Sequence, residues 1–239
     1  PSGKTNRVLM RCAVENLFHF FQVFIGGQKY APPRMAAKLG IGLVWYGESE
    51  AEYGNPAAEF EKATRAHSYY TMTDRSKAFL GGVSIASLVN DYGLREGDLE
   101  LFLPPHPDTQ KGIEVHYLGH YLKWIPQEVF YAASEHCGFQ ANDEGRSWGT
   151  YSKAYGLDDV TDDYHFWSTF VKFGIGRCSY DASQEIRSGH ITREEGQALC
   201  KRFDGEFPGR NHDVMMKYLS IMPDEFPVAS RMFADPEMT

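Results

Sequence analysis

The chain has 239 residues, of which 42% are hydrophobic and 23% charged, a composition typical of a globular protein with one large domain or two small ones. Its aromatic content of 14% argues against disorder, because large apolar groups offset the entropy lost when a chain becomes ordered. The formal net charge of −8 disfavours general nucleic-acid binding, which needs a cationic face, but leaves room for a local basic pocket.

The cysteines and the apolar runs exclude further classes of protein. The four cysteines form no CxxC pair, which disfavours a disulfide framework or a zinc site made by this chain alone and favours a reducing, cytoplasmic location. The apolar stretch 17–25 is too short for a membrane span, which needs about 20 apolar residues, and no signal-peptide pattern is visible. The first residue is Pro1 rather than Met, so we expect an N-terminal portion to be missing.

The beginning of the chain predicts part of an α/β domain. An apolar stripe over residues 6–24 predicts a helix that ends at Gly26-Gly27, and Pro32-Pro33 is expected to open a short helix that ends at Gly40. The apolar run 41–46 follows directly and predicts a strand buried on both faces of a parallel sheet.

The rest of the sequence predicts a middle part with little regular secondary structure and a mainly helical last third. A strand is predicted over 113–124 and a loop over 142–149, and Thr192 with Glu195 forms a capping-box pattern. Further helices are predicted over residues 83–92, 126–136, 162–173, 192–203 and 224–233.

Carboxylates follow the first predicted strand at Glu48, Glu50 and Glu52, next to Tyr53 and Asn55. Residues just beyond the carboxyl end of a parallel strand line the ligand crevice of open α/β sheets. These carboxylates could bind Mg²⁺ or accept protons, although a solvated acidic loop explains the pattern equally well.

A second candidate site is the segment from Lys172 to Arg177, where Gly174 and Gly176 precede a cation. Glycines let a backbone approach phosphate closely, and arginine can bind phosphate in a bidentate manner. Asp181 is expected to cap a short helix that carries Glu185 and Arg187. On the residues alone, a glycine helix end with surface ion pairs is the favoured alternative.

Two weaker candidates are small polar turns. The turn at Gly26, Gly27 and Gln28 is capable of anion binding before a helix start, and the turn 149–152 contains Thr150 and Tyr151. His116 and His120 are four residues apart, but they lie in a predicted strand, which lacks the helical geometry of a metal-binding histidine pair, so no residue of the chain is assigned as a metal ligand.

Several strings together resemble one family. They are GLVWYGESEAEYGN (42–55), EVHYLGHYLKW (114–124), GTYS (149–152), FVKFGIGR (170–177), DASQEIR (181–187), GHITREEG (189–196) and FDGEF (203–207). The family is the N-acetyl sugar amidotransferases of bacterial surface-glycan synthesis, of the O-antigen and the pseudaminic-acid flagellin-modification types, and the resemblance runs over nearly the whole chain.

This resemblance implies a fold and a division of the chain. The family belongs to the PP-loop ATP pyrophosphatases, so we expect a partial Rossmann-like α/β sheet of the adenine-nucleotide-hydrolase type, followed by a mainly helical C-terminal region. Residues 1–56 would be the end of the ATP-binding domain, and residues 57–239 the substrate-side region packed on it. The family's pyrophosphate loop and zinc-type cysteines lie upstream, in a portion that this chain lacks.

The resemblance also implies a reaction. ATP would adenylate the oxygen of a sugar acetamido group, and ammonia would then displace AMP to give an acetamidino group. Inference from the resemblance assigns catalytic roles to Glu48, Glu52, Lys172 and Arg177. Substrate binding is assigned to Tyr53, Asn55, Thr150, Tyr151, Asp181, Glu185 and Arg187. Nucleotide binding is assigned to Gly26, Gly27, Gln28, Gly174 and Gly176.

The implied cofactors are ATP and Mg²⁺, with zinc only through the upstream portion. The implied partners are a nucleotide-sugar or nonulosonic-acid substrate and a separate glutaminase that supplies ammonia, with a cyclase-like subunit as a further partner. Two alternatives stay open: the same ATP chemistry on another acceptor such as tRNA, or a non-catalytic remnant without the ATP loop.

Overall fold

A computed structural model of the chain describes residues 2–53, 58–222 and 224–226. The chain divides into two compact units, Pro1–Lys123 and Trp124–Thr239. This division is one of contacts within the chain, and the functional division at residue 56 stays a prediction.

The described residues form helices and short strands joined by loops and short 3-10 turns. The first unit contains α1 (Gly3–Leu17), α2 (Gln22–Leu39), β1 (Leu43–Tyr46), β2 (Phe79–Leu80), β3 (Val83–Ser84), α3 (Ile85–Asn90), α4 (Glu96–Leu99) and β4 (Glu114–Tyr117). The second unit contains α5 (Pro126–Cys137), α6 (Val160–Phe173), α7 (Arg177–Ser188), α8 (Arg193–Phe203) and α9 (His212–Leu219). The predicted order, a partial α/β part and then a helical region, is confirmed.

The parallel sheet of the first unit is a pair, β1 with β4, in which Val44 lies opposite Val115. These two valines pack with Ala36 of α2 in one apolar cluster. On the other face Leu43 and Trp45 are 44% and 47% exposed. The predicted parallel strand is therefore confirmed, but its expected burial on both faces within the described unit is wrong. Strands β2 and β3 form a separate antiparallel hairpin.

The first helix ends earlier than the apolar stripe predicts. Phe18 adopts a left-handed conformation with φ 47° and is fully buried, and its N–H bonds to the carbonyl of Val14 in the last turn of α1. Burial of this aromatic ring stabilises a conformation that costs energy for a residue with a Cβ atom. The stripe over residues 6–24 is thus divided between two helices.

Helix α2 contradicts the predicted turn at Gly26-Gly27 and the predicted helix start at Pro32-Pro33, because all four residues lie inside it. The reason is tertiary packing around Phe102. A Cβ atom on Gly26 would lie 3.5 Å from the carbonyl oxygen of Phe102, and one on Gly27 would lie 3.8 Å from its ring. Phe102 packs directly against this part of α2, and such tertiary contacts outweigh local propensity.

The second unit largely follows the sequence pattern. Helices α5 and α6 occupy the predicted segments, and the capping box at Thr192 and Glu195 is present at the start of α8. The prediction that Asp181 caps a helix is wrong, because α7 begins at Arg177 and Asp181 lies inside it. The predicted helix 224–233 lies mainly outside the described residues, while α9 was not predicted.

An aromatic cluster forms part of the core of the second unit. The fully buried ring of Tyr164 lies edge-on to Trp167, Phe207 and Phe226, with centroid distances of 6.2 to 6.4 Å. None of the helices in the described ranges has the length and apolar character that crossing a membrane requires.

Candidate functional site

The three carboxylates after β1 lie in different environments. Glu48 is exposed and accepts a 3.3 Å hydrogen bond from the hydroxyl of Tyr53. Glu50 accepts a 2.6 Å hydrogen bond from the hydroxyl of Tyr69 and pairs with Arg65 at 3.3 Å. Glu52 lies so close to Gly119 that a Cβ atom there would be 1.7 Å from its carboxylate oxygen. Of the three glutamates, Glu48 is the most exposed.

Stacked tyrosines line the carboxyl end of the parallel strands. Tyr46 at the end of β1 stacks on Tyr117 at the end of β4, with ring centroids 5.4 Å apart. The hydroxyl of Tyr117 is 2.6 Å from that of Tyr70, and the guanidinium of Arg65 lies 4.2 Å from the Tyr117 ring centroid. Burial raises the pKa of Tyr46 and Tyr70, so these phenols act as neutral hydrogen-bonding groups.

The predicted nucleotide-binding turn at Gly26, Gly27 and Gln28 lies in the middle of α2 instead. The carbonyl oxygen of Gln28 accepts a 3.1 Å hydrogen bond from the hydroxyl of Tyr46. A helix interior does not present the unpaired amides that bind anions at a helix start. The structural premise of that assignment is therefore wrong.

In the second unit, one face of α7 carries Arg177, Asp181 and Glu185, spaced four residues apart. The carboxylate of Asp181 accepts a 3.1 Å hydrogen bond from Nε of Arg177 and a second hydrogen bond from the hydroxyl of Thr150. Asp181 and Glu185 are 6% and 8% exposed. Of the four residues predicted from sequence, Thr150, Arg177 and Asp181 are thus joined by hydrogen bonds, and Glu185 lies one turn further along the same helix.

Arg177 is surrounded by carboxylates and rings. It pairs with Asp162 of α6 at 3.3 Å as well as with Asp181, and its guanidinium lies 4.9 and 4.5 Å from the ring centroids of Tyr155 and Phe166. Because two carboxylates contact this cation, it is held within the protein rather than presented to solvent.

Burial changes the acidity of this network. It raises the pKa of Asp162 to about 6, against the lowering effect of Arg177, and raises the pKa of Asp163 to about 7 with help from Asp162. Burial likewise raises the pKa of Asp181, while Arg177 and Thr150 lower it. The carboxylates outnumber the cation, so the network can hold a proton near neutral pH.

The far end of α7 holds a second set of polar groups around Glu185. One oxygen of its carboxylate is 3.0 Å from Nε2 of Gln127 and 2.8 Å from Nδ1 of His190. The hydroxyl of Tyr151 is buried without a hydrogen-bond partner among the described residues, and Asp181 and Glu185 both act on it electrostatically. The arrangement offers carboxylate acceptors beside a hydroxyl donor.

The string FDGEF has a structural explanation. Asp204 accepts hydrogen bonds from the backbone N–H and the hydroxyl of Ser179 and so caps the start of α7. Glu206 accepts two 2.6 Å hydrogen bonds from Arg146 and a 3.0 Å bond from the N–H of Gly149. These two carboxylates fix the loop that carries Thr150 against α7.

Asp204 also bears on the predicted nucleotide site at Gly174, Gly176 and Arg177. Gly174 ends α6 in a left-handed conformation with φ 70°, and a Cβ atom on Gly176 would lie 2.6 Å from the carboxylate of Asp204. A carboxylate thus occupies the helix start where a phosphate was expected. The phosphate-binding role stays a prediction, while the glycines and the arginine already have structural partners.

Some predicted residues lie outside this network. Lys172 is in the last turn of α6, where burial lowers its pKa, and Arg187 is exposed on α7. Asn55 falls outside the described residues. The predicted sharing of one substrate by Glu48 and Arg177, which belong to different units, stays a prediction.

The network contains groups that the sequence did not point to, namely Gln127, Asp162, His190, Asp204 and Glu206. The pair Asp162-Asp163 was read as a helix start alone, and His190 directly follows the glycine that ends α7. Within the described ranges, no set of three His, Cys, Asp or Glu side chains could hold a metal ion.

The C-terminal part of the chain matches a known protein family. Residues 146–238 match the family model described as the C-terminal domain of WbpG-like LPS biosynthesis proteins. The matched segment contains Thr150, Asp162, Arg177, Asp181 and Glu185. No curated protein matches the chain.

Proposed function

We propose, from the premise that residues 146–238 belong to the C-terminal domain family of WbpG-like LPS biosynthesis proteins, that this chain is the substrate-side part of an ATP-dependent sugar amidotransferase. The match to this family supports a role in surface-glycan biosynthesis. The proposed reaction converts the acetamido group of a sugar to an acetamidino group and releases AMP and pyrophosphate.

The observation that carries this proposal is the α7 network inside the matched domain. Asp181 and Glu185 are buried carboxylates beside the hydroxyls of Thr150 and Tyr151. Carboxylates accept hydrogen bonds from sugar hydroxyls and from an amide N–H, and hydroxyls can donate to an acetamido oxygen. The network thus has the donors and acceptors that an N-acetylated sugar requires.

The chemistry requires activation of a poor leaving group. Ammonia cannot displace an amide oxygen directly, but transfer of AMP to that oxygen gives an imidate that loses AMP when ammonia adds. We assign the sugar amide to the α7 network. Glu48, whose carboxylate is exposed at the end of β1, is assigned to the proton or charge that develops on the ATP side.

The test is incubation of the full-length protein that contains this chain with ATP, ammonia and a panel of nucleotide-linked N-acetyl sugars. Mass spectrometry would detect replacement of one oxygen by NH, and AMP would be measured in parallel. We expect amidine formation with at least one sugar, and a loss of about 10²-fold or more in Glu48→Gln, the size typical of a general acid or base.

The matched control is Glu135→Gln, a change at a 77%-exposed carboxylate. ATP-dependent modification of an RNA acceptor, with no modified sugar formed, would contradict the proposal. So would a complete lack of ATP consumption. Near-normal amidine formation in Glu48→Gln would retain the reaction but remove the assignment of Glu48.

A further inference from the structure

His190 is fixed by the end of α7. Gly189 adopts a left-handed conformation with φ 79°, which favours glycine, and its N–H bonds to the carbonyl of Ile186 at 3.0 Å. The N–H of His190 bonds to the carbonyl of Glu185 at 2.9 Å. The helix end therefore sets the backbone position of this histidine.

The imidazole is held by the same glutamate. Its Nδ1 is 2.8 Å from a carboxylate oxygen of Glu185, which also accepts the 3.0 Å hydrogen bond from Gln127 of α5. A carboxylate at Nδ1 favours the tautomer that carries its proton there, which leaves the lone pair on Nε2. The tautomer is assigned from this hydrogen bond.

The opposite side of the ring is available. The His190 side chain is 27% exposed, and Nε2 makes no hydrogen bond with a described residue. A buried carboxylate on one ring nitrogen and an accessible lone pair on the other is the arrangement of an oriented general base. Gln127 of α5 gives this carboxylate a second donor, an interaction that ending the helix does not require.

We propose that His190 accepts the proton that the attacking ammonia loses, with Glu185 and Gln127 as positioning residues. This inference rests on the proposed amidotransferase function. Ammonia adds to the carbon of the protonated O-adenylyl imidate, so that a C–N bond forms and the nitrogen becomes an ammonium. Its proton passes to Nε2 of His190. The C–O bond then breaks, AMP leaves with the electron pair, and the sugar retains an amidinium group.

The location agrees with this role. Glu185 lies one helical turn from Asp181 on the same face of α7, and both carboxylates act on the buried hydroxyl of Tyr151. The network assigned to the sugar amide thus continues into the glutamate that orients His190. A base at this end of α7 would be next to the carbon that ammonia attacks.

The two half-reactions separate this role from a structural one. Adenylation can be followed without ammonia as ATP–pyrophosphate isotope exchange, and amidine formation by mass spectrometry with ammonia present. For His190→Gln we expect exchange within about twofold of wild type and amidine formation slower by about 10²–10⁴-fold. The KM for the sugar should stay unchanged, and the rate should lose its rise with pH.

Glu185→Gln tests the positioning role, because an amide can offer its N–H to Nδ1 and stabilise the wrong tautomer. We expect reduced kcat for amidine formation at an unchanged thermal midpoint. The matched control is His136→Gln, since the His136 side chain is 71% exposed and its ion pair with the neighbouring Glu135, at 4.0 Å, is also exposed. It should leave both half-reactions unchanged.

Outcomes that overturn the inference are distinct from failure of the proposed function. Equal slowing of exchange and amidine formation in His190→Gln would show a structural role, as would a lowered thermal midpoint with a normal pH profile. A wild-type protein that carries out neither half-reaction would overturn the proposed function itself, and this inference with it.

Discussion

Each unit buries an arginine against aromatic rings, yet the charges around the two arginines differ. In the first unit Arg65 lies over the rings of Phe60 and Tyr117 and pairs with one carboxylate, Glu50. In the second unit Arg177 lies over two rings as well but contacts two carboxylates, Asp162 and Asp181.

This difference separates a neutral structural cluster from a proton-binding one. Around Arg65, one cation meets one anion, and tyrosine hydroxyls complete the hydrogen bonds. Around Arg177 there are more carboxylates than one cation can neutralise, and burial raises the pKa of Asp162 to about 6. The acid-rich cluster is also the one inside the matched family domain.

The largest expected effect is that of Arg177→Met. It leaves Asp181, with a side chain only 7% exposed, without its cation, and removal of one partner from a buried pair typically costs about 3–5 kcal/mol. Arg65→Met should cost roughly 1–2 kcal/mol, because the partner Glu50 is 34% exposed and water can solvate it. Urea unfolding, with hydrogen exchange as the readout for each unit, would measure the loss of stability in both variants.

The control for these two variants is Arg187→Met, which removes an exposed arginine from the same helix as Arg177. It should change the free energy of unfolding by less than about 0.5 kcal/mol, as surface substitutions usually do. Equal losses for Arg65→Met and Arg177→Met would remove the distinction between the two clusters.

A smaller effect is expected for Asp163→Asn, and it depends on pH. Burial raises the pKa of Asp163 from 3.8 to about 7, so the folded protein binds a proton that the unfolded chain has lost. Stability from this group is therefore full below about pH 4 and falls as the pH rises to about 7. The amide removes this loss, so above pH 7 the variant should be more stable by roughly 1–3 kcal/mol.

Thermal and urea unfolding from pH 4 to pH 8 would check the sign. The wild type should lose stability relative to Asp163→Asn across this range, and the two curves should converge near pH 4. The control, Asp143→Asn, changes an exposed carboxylate in the loop before Arg146 and should follow the wild type. Parallel curves for Asp163→Asn and the wild type would show that Asp163 ionises normally in the folded protein.

The two units also differ in how far the sequence predicts them. In the second unit, local signals predict several helix boundaries: the Thr192–Glu195 pair forms the predicted capping box, and Gly174 ends α6 as the pattern indicates. Residues Thr150, Arg177, Asp181 and Glu185 were predicted as site residues, and they meet because a four-residue spacing places three of them on one helix face.

In the first unit, contacts between distant residues decide the structure. Gly26 and Gly27 lie inside a helix because Phe102 packs against them, and nothing near residue 26 in the sequence signals this contact. The same limit applies to partners such as Asp162 and Asp204, whose roles depend on which helix start or cation they meet in space. Periodicity predicts which face is buried, but not the residue that covers it.

The smallest expected effect on stability sharpens the comparison at the end of β1, where Gly119 contacts Glu52. A Cβ atom at Gly119 would lie 1.7 Å from the Glu52 carboxylate, the movable end of a flexible side chain, so Gly119→Ala should cost less than about 1 kcal/mol. If Glu52 takes part in the proposed reaction, the same variant should lose up to about 10²-fold in amidine formation, because displacement by about 1 Å can cost that much.

The matched control is Gly97→Ala in α4, where an added Cβ meets nothing within 4 Å. Unfolding and amidine assays on both variants separate the possibilities, since normal activity in Gly119→Ala would show that Glu52 only packs against the turn after β4. A loss in activity without a loss in stability would instead give the first unit a second carboxylate, besides Glu48, that acts in the proposed reaction.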